Sequence, residues 1–453
     1  MQSFGDKMIT RTFKVSKKLS LNNKRVVKLL EQAVLLTSKV YEDQMKRGFY
    51  PKGVSKEKLQ AASKNTPEIL SPYFIVTGKE NNFKAIPYHE AYEDLLTPIS
   101  EKLQQAGNIC TNATLKKYIL TRAKALRDGT YEEADKAWFL VRNTDIDFYI
   151  GPFEPYQDKI FFKKRAYQGF VGFIDKIESQ EVDKLKNALY SSAKMSSEKN
   201  HSTDIPKKGV HIFVEDILIT SGYLSEVLFS AEFYPLEVDF LKEHGSRVVF
   251  YKSQLEYKFE KLLYPIFQSI FEKRFASRYS KELLFKAAFY NICLYEFSLQ
   301  LHQYGSGKNR LNDLYGIIDE ANGFVSGIQH GKDLVIKGLI DEVLLEAIII
   351  IHILWILADW MMYKYTKGKE SHIIGNSMII DDYFAKGALN VHNGISWPNF
   401  YRIFFEIEDM ADDLVYLLKE GSYKQAEEFI KKNTALESFK KLEGNLKTIN
   451  ANI

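Results

Sequence analysis

Cysteine is almost missing from the 453 residues: Cys110 and Cys293 are the only two. That excludes a disulfide framework and a cysteine-based zinc site, and it points to a reducing, cytoplasmic setting. An excess of one charge is lacking as well. The 62 basic residues face 58 acidic ones for a net charge of +4, so no strongly acidic or basic partner is implied. The 31 Phe, 27 Tyr and 4 Trp are dispersed without interleaved basic residues, which argues against a nucleic-acid groove.

Long apolar runs are scarce. The opening MQSFGDKMITRTFKVSKKLS holds no apolar stretch of the roughly 7–15 residues that a secretory leader needs, so export is not expected. The most apolar segment, from Val343 to Met362, is interrupted by Glu346, His352 and Asp359, whereas a spanning helix wants about 20 nearly uncharged residues. It reads as a buried core helix, and no membrane partner is expected. No internal repeat is visible. GSGKN at 305–309 lacks the spacing of a phosphate loop and follows a helical pattern rather than a strand, which argues against a nucleotide site of that kind.

What is present is the make-up of a folded chain, 45% hydrophobic and 26% charged, long enough for two or three domains at about 150 residues each. Val26, Val27, Leu30 and Val34 recur at helical spacing after Asn22 and Asn23, which predicts a helix over 24–47 capped by those asparagines and stopped at Gly48. SPYFIVTGKENNFKAIPYHEAY predicts a hairpin of strands 73–76 and 83–86. IDFYI (146–150), KIFF (159–162), VHIFV (210–214) and RVVFYK (247–252) predict further strands. The Ser, Lys and Asn-rich segment 191–208 reads as a surface loop. From Gln254 the pattern is helical nearly to the end, apart from a loop around 392–398. The expected class is α+β and two-lobed: a mixed lobe with a small sheet over 1–253 and a helical lobe over 254–453, the two interleaving.

Chemistry concentrates in YEFSLQLHQYGSGKNRLNDLYGIIDEANGF, residues 295–324, where a helix, a Gly-Ser-Gly turn and a second helix with an acidic pair follow one another. A catalytic zinc takes three protein ligands and keeps one position for a water whose pKa falls to about 7. Two histidines on one helical face, a glutamate beside the first and a carboxylate from a neighbouring helix would supply that set. Here the histidines are missing.

The segments FYPKGVSKEKL, SPYFIV, IPYHEAY, GPFEPYQDK, GSGK and LYGIIDEANGF, in this order and at these separations, resemble the dipeptidyl peptidase III family of zinc metallopeptidases, peptidase family M49, and its shorter bacterial branch in particular. The similarity runs from about residue 45 to about residue 440. It implies the two-lobed fold of that family and places Glu320 at the family's third zinc ligand, Asp319 beside it in the outer shell, and Phe324 where the family has an acidic residue. In an HExxH register the motif falls on Tyr295, Glu296 and Leu299, which keeps the general base and loses both imidazoles. Counted back from GSGK in the longer HExxxH form, it falls on Leu299, Gln300 and Tyr304, and every functional group goes. We favour the first register, because Glu296 otherwise stands unexplained in an apolar helix. His302 lies six residues past Glu296, about 240° around the helix, and shares no face with it. His330 and His352 sit on apolar helices and read as core residues. A structural role for Glu296, paired with Lys308, Arg310 or a tyrosine hydroxyl, is the competing explanation.

The resemblance further implies that Glu154 and Tyr156, in GPFEPYQDK, and His372 and Asn376, in KESHIIGNSM, line the family's cleft. The expected candidates are therefore Glu296, Glu320 and His372 as acid-base groups, with Glu154, Tyr156, Tyr295, Asp319 and Asn376 contacting ligand. No metal ligand set and no cofactor are expected. Three functions remain open: a zinc-less relative binding a peptide or other small ligand, an enzyme of changed acid-base chemistry, and a metallohydrolase with an unrecognised ligand set. The oligomeric state is not legible.

Overall fold

A computed structural model describes residues 9–79, 82–197, 209–234, 240, 243–301, 305–363, 370–391, 395, 397–433, 442, 444–446 and 449. The chain forms two compact units, one of Met1–Ser179 with Val210–Gln254, the other of Gln180–Gly209 with Leu255–Ile453.

The first unit is built on strands β1 (Thr10–Thr12), β4 (Ile146–Glu154), β5 (Ala166–Ile174), β6 (Val210–Gly222), β7 (Ala231–Tyr234) and β8 (Ser246–Tyr251). They run in the order β4-β5-β6-β8-β7, with β1 added to the far half of β6. Among the described residues of this sheet the β6–β8 pair is parallel and the others are antiparallel. Every residue of β4, β5 and β8 is buried, so these strands show no alternation of apolar and exposed polar positions. β5 ends its pairing at Gly222 of β6, whose φ is +65°; a Cβ there would stand 2.3 Å from the Tyr167 carbonyl oxygen. Glycine is required at that corner. β2 (Phe74–Lys79) and β3 (Asn82–Pro87) form the expected hairpin, the first strand starting one residue later and ending further on, the second longer by one residue at each end.

Helix α1 (Leu21–Arg47) lies against β5 and β6 with Val26, Val27, Leu30, Ala33 and Val34 buried, and α2 (Glu93–Ile109) and α3 (Ala113–Asp128) extend that layer. Its cap is Ser20, whose hydroxyl accepts from Asn23 N at 3.1 Å, rather than the asparagines. The segment KIFF is not a strand. The Asp158 carboxylate gathers the amides of Ile160, Phe161, Lys163 and Lys164 at 2.9–3.1 Å into a tight turn, so local side-chain capping overrides strand propensity. Arg247 is packed between the rings of Trp138 and Phe213 at 4.2 and 3.6 Å and pairs with Asp147, a buried charge held by ring and carboxylate together.

The second unit is helical. Helix α4 (Lys176–Ser197) runs well into the segment expected as a loop, and 198–208 lie outside the described residues. A π-helical turn at Phe259–Leu263 precedes α5 (Lys281–Leu301), α6 (Tyr315–Ile336), α7 (Glu342–Tyr363), α8 (Glu370–Ala385) and α9 (Phe400–Lys419). Among the described residues, Glu342–Met361 is the one helix long and apolar enough to cross a membrane, and 78% of that window is buried inside the structure. Of the loop expected around 392–398, residues 392–394 and 396 lie outside the described residues.

Candidate functional site

Helix α6 carries Gly323, Gly327 and Gly331 four residues apart, so one side of it is nearly bare backbone. Helix α5 fills that side at Gly323 and Gly327, and Leu345 of α7 fills it at Gly331. A Cβ at Gly327 would stand 3.1 Å from the Leu294 carbonyl carbon and 3.2 Å from its oxygen. One at Gly323 would stand 2.8 Å from Leu299 Cδ2 and 2.9 Å from Tyr295 Cε2. Tyr295 and Leu299, four residues apart, therefore share the face of α5 that meets α6.

The phenol of Tyr295 donates to Glu320 Oε2. Its ring lies 4.8 Å from that of Phe324, at 42°. Phe324 in turn lies 5.8 Å from the imidazole of His352 on α7, whose Nε2 is 3.1 Å from the Tyr383 hydroxyl on α8. Burial pushes His352, a core residue, down to about 3, and pushes the half-buried His330 down to about 4, so both rings are neutral near pH 7. Asp319, next to Glu320, is pushed up to about 7, first by burial and then by the Glu320 charge, against the pull of a hydrogen bond from Tyr315. Its Oδ1 is sealed from solvent without a hydrogen-bond partner among the described residues, although part of the residue still reaches the surface.

Glu296 is half-buried on α5. Of the cations offered for it by the sequence, Arg310 donates to the carbonyls of Leu417, Leu418 and Gly421 at 2.6–3.1 Å, tying off the end of α9. Lys308 is exposed. Asn376 on α8 is 1% exposed and donates to Asp359 Oδ2 on α7 at 2.9 Å. It serves as an internal helix tie. His372 lies on α8, and its side chain is outside the described residues, as are His302 and Tyr304.

Glu154 and Tyr156 belong to the first unit. Glu154 ends β4, buried, and its carboxyl meets that of Glu232 on β7. Glu232 is the centre of a buried network: Gln168 Nε2 donates to both of its oxygens at 2.9 Å, and the hydroxyls of Tyr234 and Tyr251 donate at 2.5 Å. Burial raises the Glu232 carboxyl, and these donors oppose the rise. The Gln168 Oε1 atom is buried and has no partner among the described residues. Tyr156 is 42% exposed, its ring 6.5 Å from Tyr223 and 6.3 Å from Phe229. Glu154, Glu226 and Glu232 all bear on Tyr223, whose phenol burial pushes up. Carboxylates set among rings favour a cationic group. The sequence pointed to Glu154 and Tyr156 but missed Glu232, Gln168, Tyr234 and Tyr251. AEFY was too short to register as a strand, and the only available signal was a charged residue inside an aromatic run.

A metal test of the second unit turns on Leu299, a histidine position in both registers. Its side chain is hydrocarbon and packs toward Gly323. Tyr295 uses its only polar atom on Glu320, and Phe324 presents a ring where a carboxylate would steady a ligand. These residues do not fit zinc. Among the described residues no three His, Cys, Asp or Glu side chains come together as a metal would require.

Residues 7–194 match the profile described as Peptidase family M49. The solved dipeptidyl peptidase III of Caldithrix abyssi superposes with a TM-score of 0.84 at 21% identity, covering 96% of this chain and 94% of that one. The chain has the dipeptidyl peptidase III fold. The enzyme from Corallococcus sp. strain EGB agrees, with a TM-score of 0.81 at 21% identity over 98% of this chain and 94% of that one. At that identity the likeness is one of fold. A curated relative, Nudix hydrolase 3 of Arabidopsis thaliana, is 23% identical over 389 residues. The match takes in 84% of this chain but spans about half, 49%, of the relative.

Proposed function

We propose that this dipeptidyl peptidase III-like chain works without zinc, is inactive as a dipeptidyl peptidase, and binds a peptide or other small ligand bearing a cationic end. The observation that carries the metal-free part is the pairing of Tyr295 with Glu320 while Leu299 packs on Gly323: the carboxylate at the family's ligand position already has a donor, and position 299 offers a hydrocarbon side chain rather than an imidazole. Ligand binding is supported in the first unit by Glu154, Glu226 and Glu232 around Tyr223, with the Tyr156 ring open to solvent. A protonated amine suits that chemistry, because it can take hydrogen bonds to carboxylates and rest on rings at once. Both cysteines are buried, in keeping with the proposed cytoplasmic setting.

Calorimetry with a tetrapeptide, free or acetylated at its amino end, tests the reading. Binding of the free peptide alone, weakened in Glu154→Gln, supports it. Equal binding of both peptides contradicts the amine reading, and cleavage of a dipeptidyl substrate that EDTA abolishes contradicts the metal-free one.

A second reading, an enzyme of changed acid-base chemistry, is favoured by one observation. Asp319 keeps a sealed, unpartnered oxygen beside Glu320, the arrangement in which one carboxyl holds a proton while its neighbour is ionised.

A further inference from the structure

Four helices of the second unit each give one ring to a continuous ladder. Tyr295 of α5 lies 4.8 Å from Phe324 of α6, Phe324 lies 5.8 Å from His352 of α7, and His352 lies 6.1 Å from Tyr383 of α8. Each end is pinned by a hydrogen bond, Tyr295 to Glu320 and His352 Nε2 to the Tyr383 hydroxyl at 3.1 Å. Phe324, His352 and Tyr383 are 7%, 0% and 1% exposed, so the middle of the ladder is core. The glycines of α6 allow it: with Cβ atoms at 323 and 327, α5 could not come close enough for the Tyr295 ring to reach Phe324.

We infer that this ladder is a metal-independent brace joining α5, α6, α7 and α8 into one cooperative block, and that Tyr295 and Phe324 act as a linked pair in which ring contact and a phenol–carboxylate bond tie the two helices that a metal would otherwise join. The physical requirements agree. A carboxylate at 324 would be buried between a phenol ring and a neutral imidazole, so Phe324 suits the ring at 295 and an acid would not. The Tyr295 phenol gives Glu320 a donor from the neighbouring helix. His352 can stand between two rings because it is uncharged there. Offset ring pairs at these separations are each worth about 2- to 12-fold in an unfolding equilibrium beyond the area they bury. Three in series join four helices whose backbone hydrogen bonds stay within each helix.

The inference rests on the metal-free reading for its account of why the ladder exists, but its test does not use zinc. Amide hydrogen exchange on the whole chain under native conditions is measured for Phe324→Leu and His352→Leu. A shared brace predicts that each variant speeds exchange in α5, α6, α7 and α8 together, by tenfold or more in their central turns. Acceleration confined to the substituted helix overturns it. Tyr295→Phe, Glu320→Gln and the double variant, compared by urea unfolding, give an independent check. The double variant should be no less stable than the worse single one, whereas additive losses overturn the phenol–carboxylate pin. Zinc bound by the wild-type chain would sink the metal-free reading and leave these exchange and coupling results to stand or fall alone.

Discussion

Tyr295 and Glu320 stand on different helices, 25 residues apart in sequence, and the phenol of one hydrogen-bonds the carboxylate of the other. The bond occupies the carboxylate that the family resemblance marks as a zinc ligand. It is possible because Gly323, one turn beyond Glu320, leaves room for the Tyr295 ring.

If ring contact has replaced a carboxylate at 324, reversing that change should be costly. Phe324→Asp should lose about 3–5 kcal/mol, the removed ring volume adding to the penalty for a buried charge. Urea unfolding measures it. A loss below about 1 kcal/mol would mean that the site is open enough to solvate an acid.

Two histidines of the helical unit set an acid limit. His352 is lowered to about 3 and His330 to about 4, against about 6.5 for an unfolded histidine, so between those values the unfolded chain binds more protons than the native one. The contribution of these two imidazoles to stability therefore rises with pH up to about 6.5 and is lost on acidification below it. His352→Gln should flatten the stability profile between pH 4 and 6 by about one proton, or about 1.4 kcal/mol per pH unit. An unchanged slope would mean that His352 ionises alike in both states.

Gly222 tests the corner of the sheet. Alanine there meets both a positive φ and the Tyr167 carbonyl oxygen at 2.3 Å, so Gly222→Ala should cost about 2 kcal/mol or more. Thermal unfolding reads the loss, and a stable variant would mean that β5 and β6 part easily at their end.

Much of the fold was legible because periodicity carried it. The α1 spacing, the hairpin and the long apolar helix 342–363 all stand where the pattern put them. The misses have local causes. Asp158 turned KIFF into a capped loop, and the glycines at 169 and 172 broke up AYQGFVGFI, so that β5 did not read as a strand. In the site, Tyr295 and Glu320 were legible from the family order, but their bond was not, since side chains 25 residues apart meet only when the helices do. Asn376 read as a cleft residue, while in the structure it donates to Asp359 in the helix core. Glu232 could not be seen, because its importance lies in donors drawn from β5, β7 and β8.

The two registers of the degenerate motif can be separated by rebuilding it. Tyr295→His with Leu299→His puts two imidazoles on the face of α5 that meets α6, opposite Glu320. That variant should bind zinc by calorimetry. Binding instead by Leu299→His with Tyr304→His alone would assign the motif to the longer spacing.

The central claim is that this dipeptidyl peptidase III-like chain holds no zinc, and elemental analysis of the purified protein tests it most directly, together with melting in the presence and absence of EDTA. The account predicts far less than one zinc per chain and an unchanged melting temperature, because a metal stabilises only where its ligands exist. One zinc per chain, with a melting temperature that EDTA lowers, would contradict it.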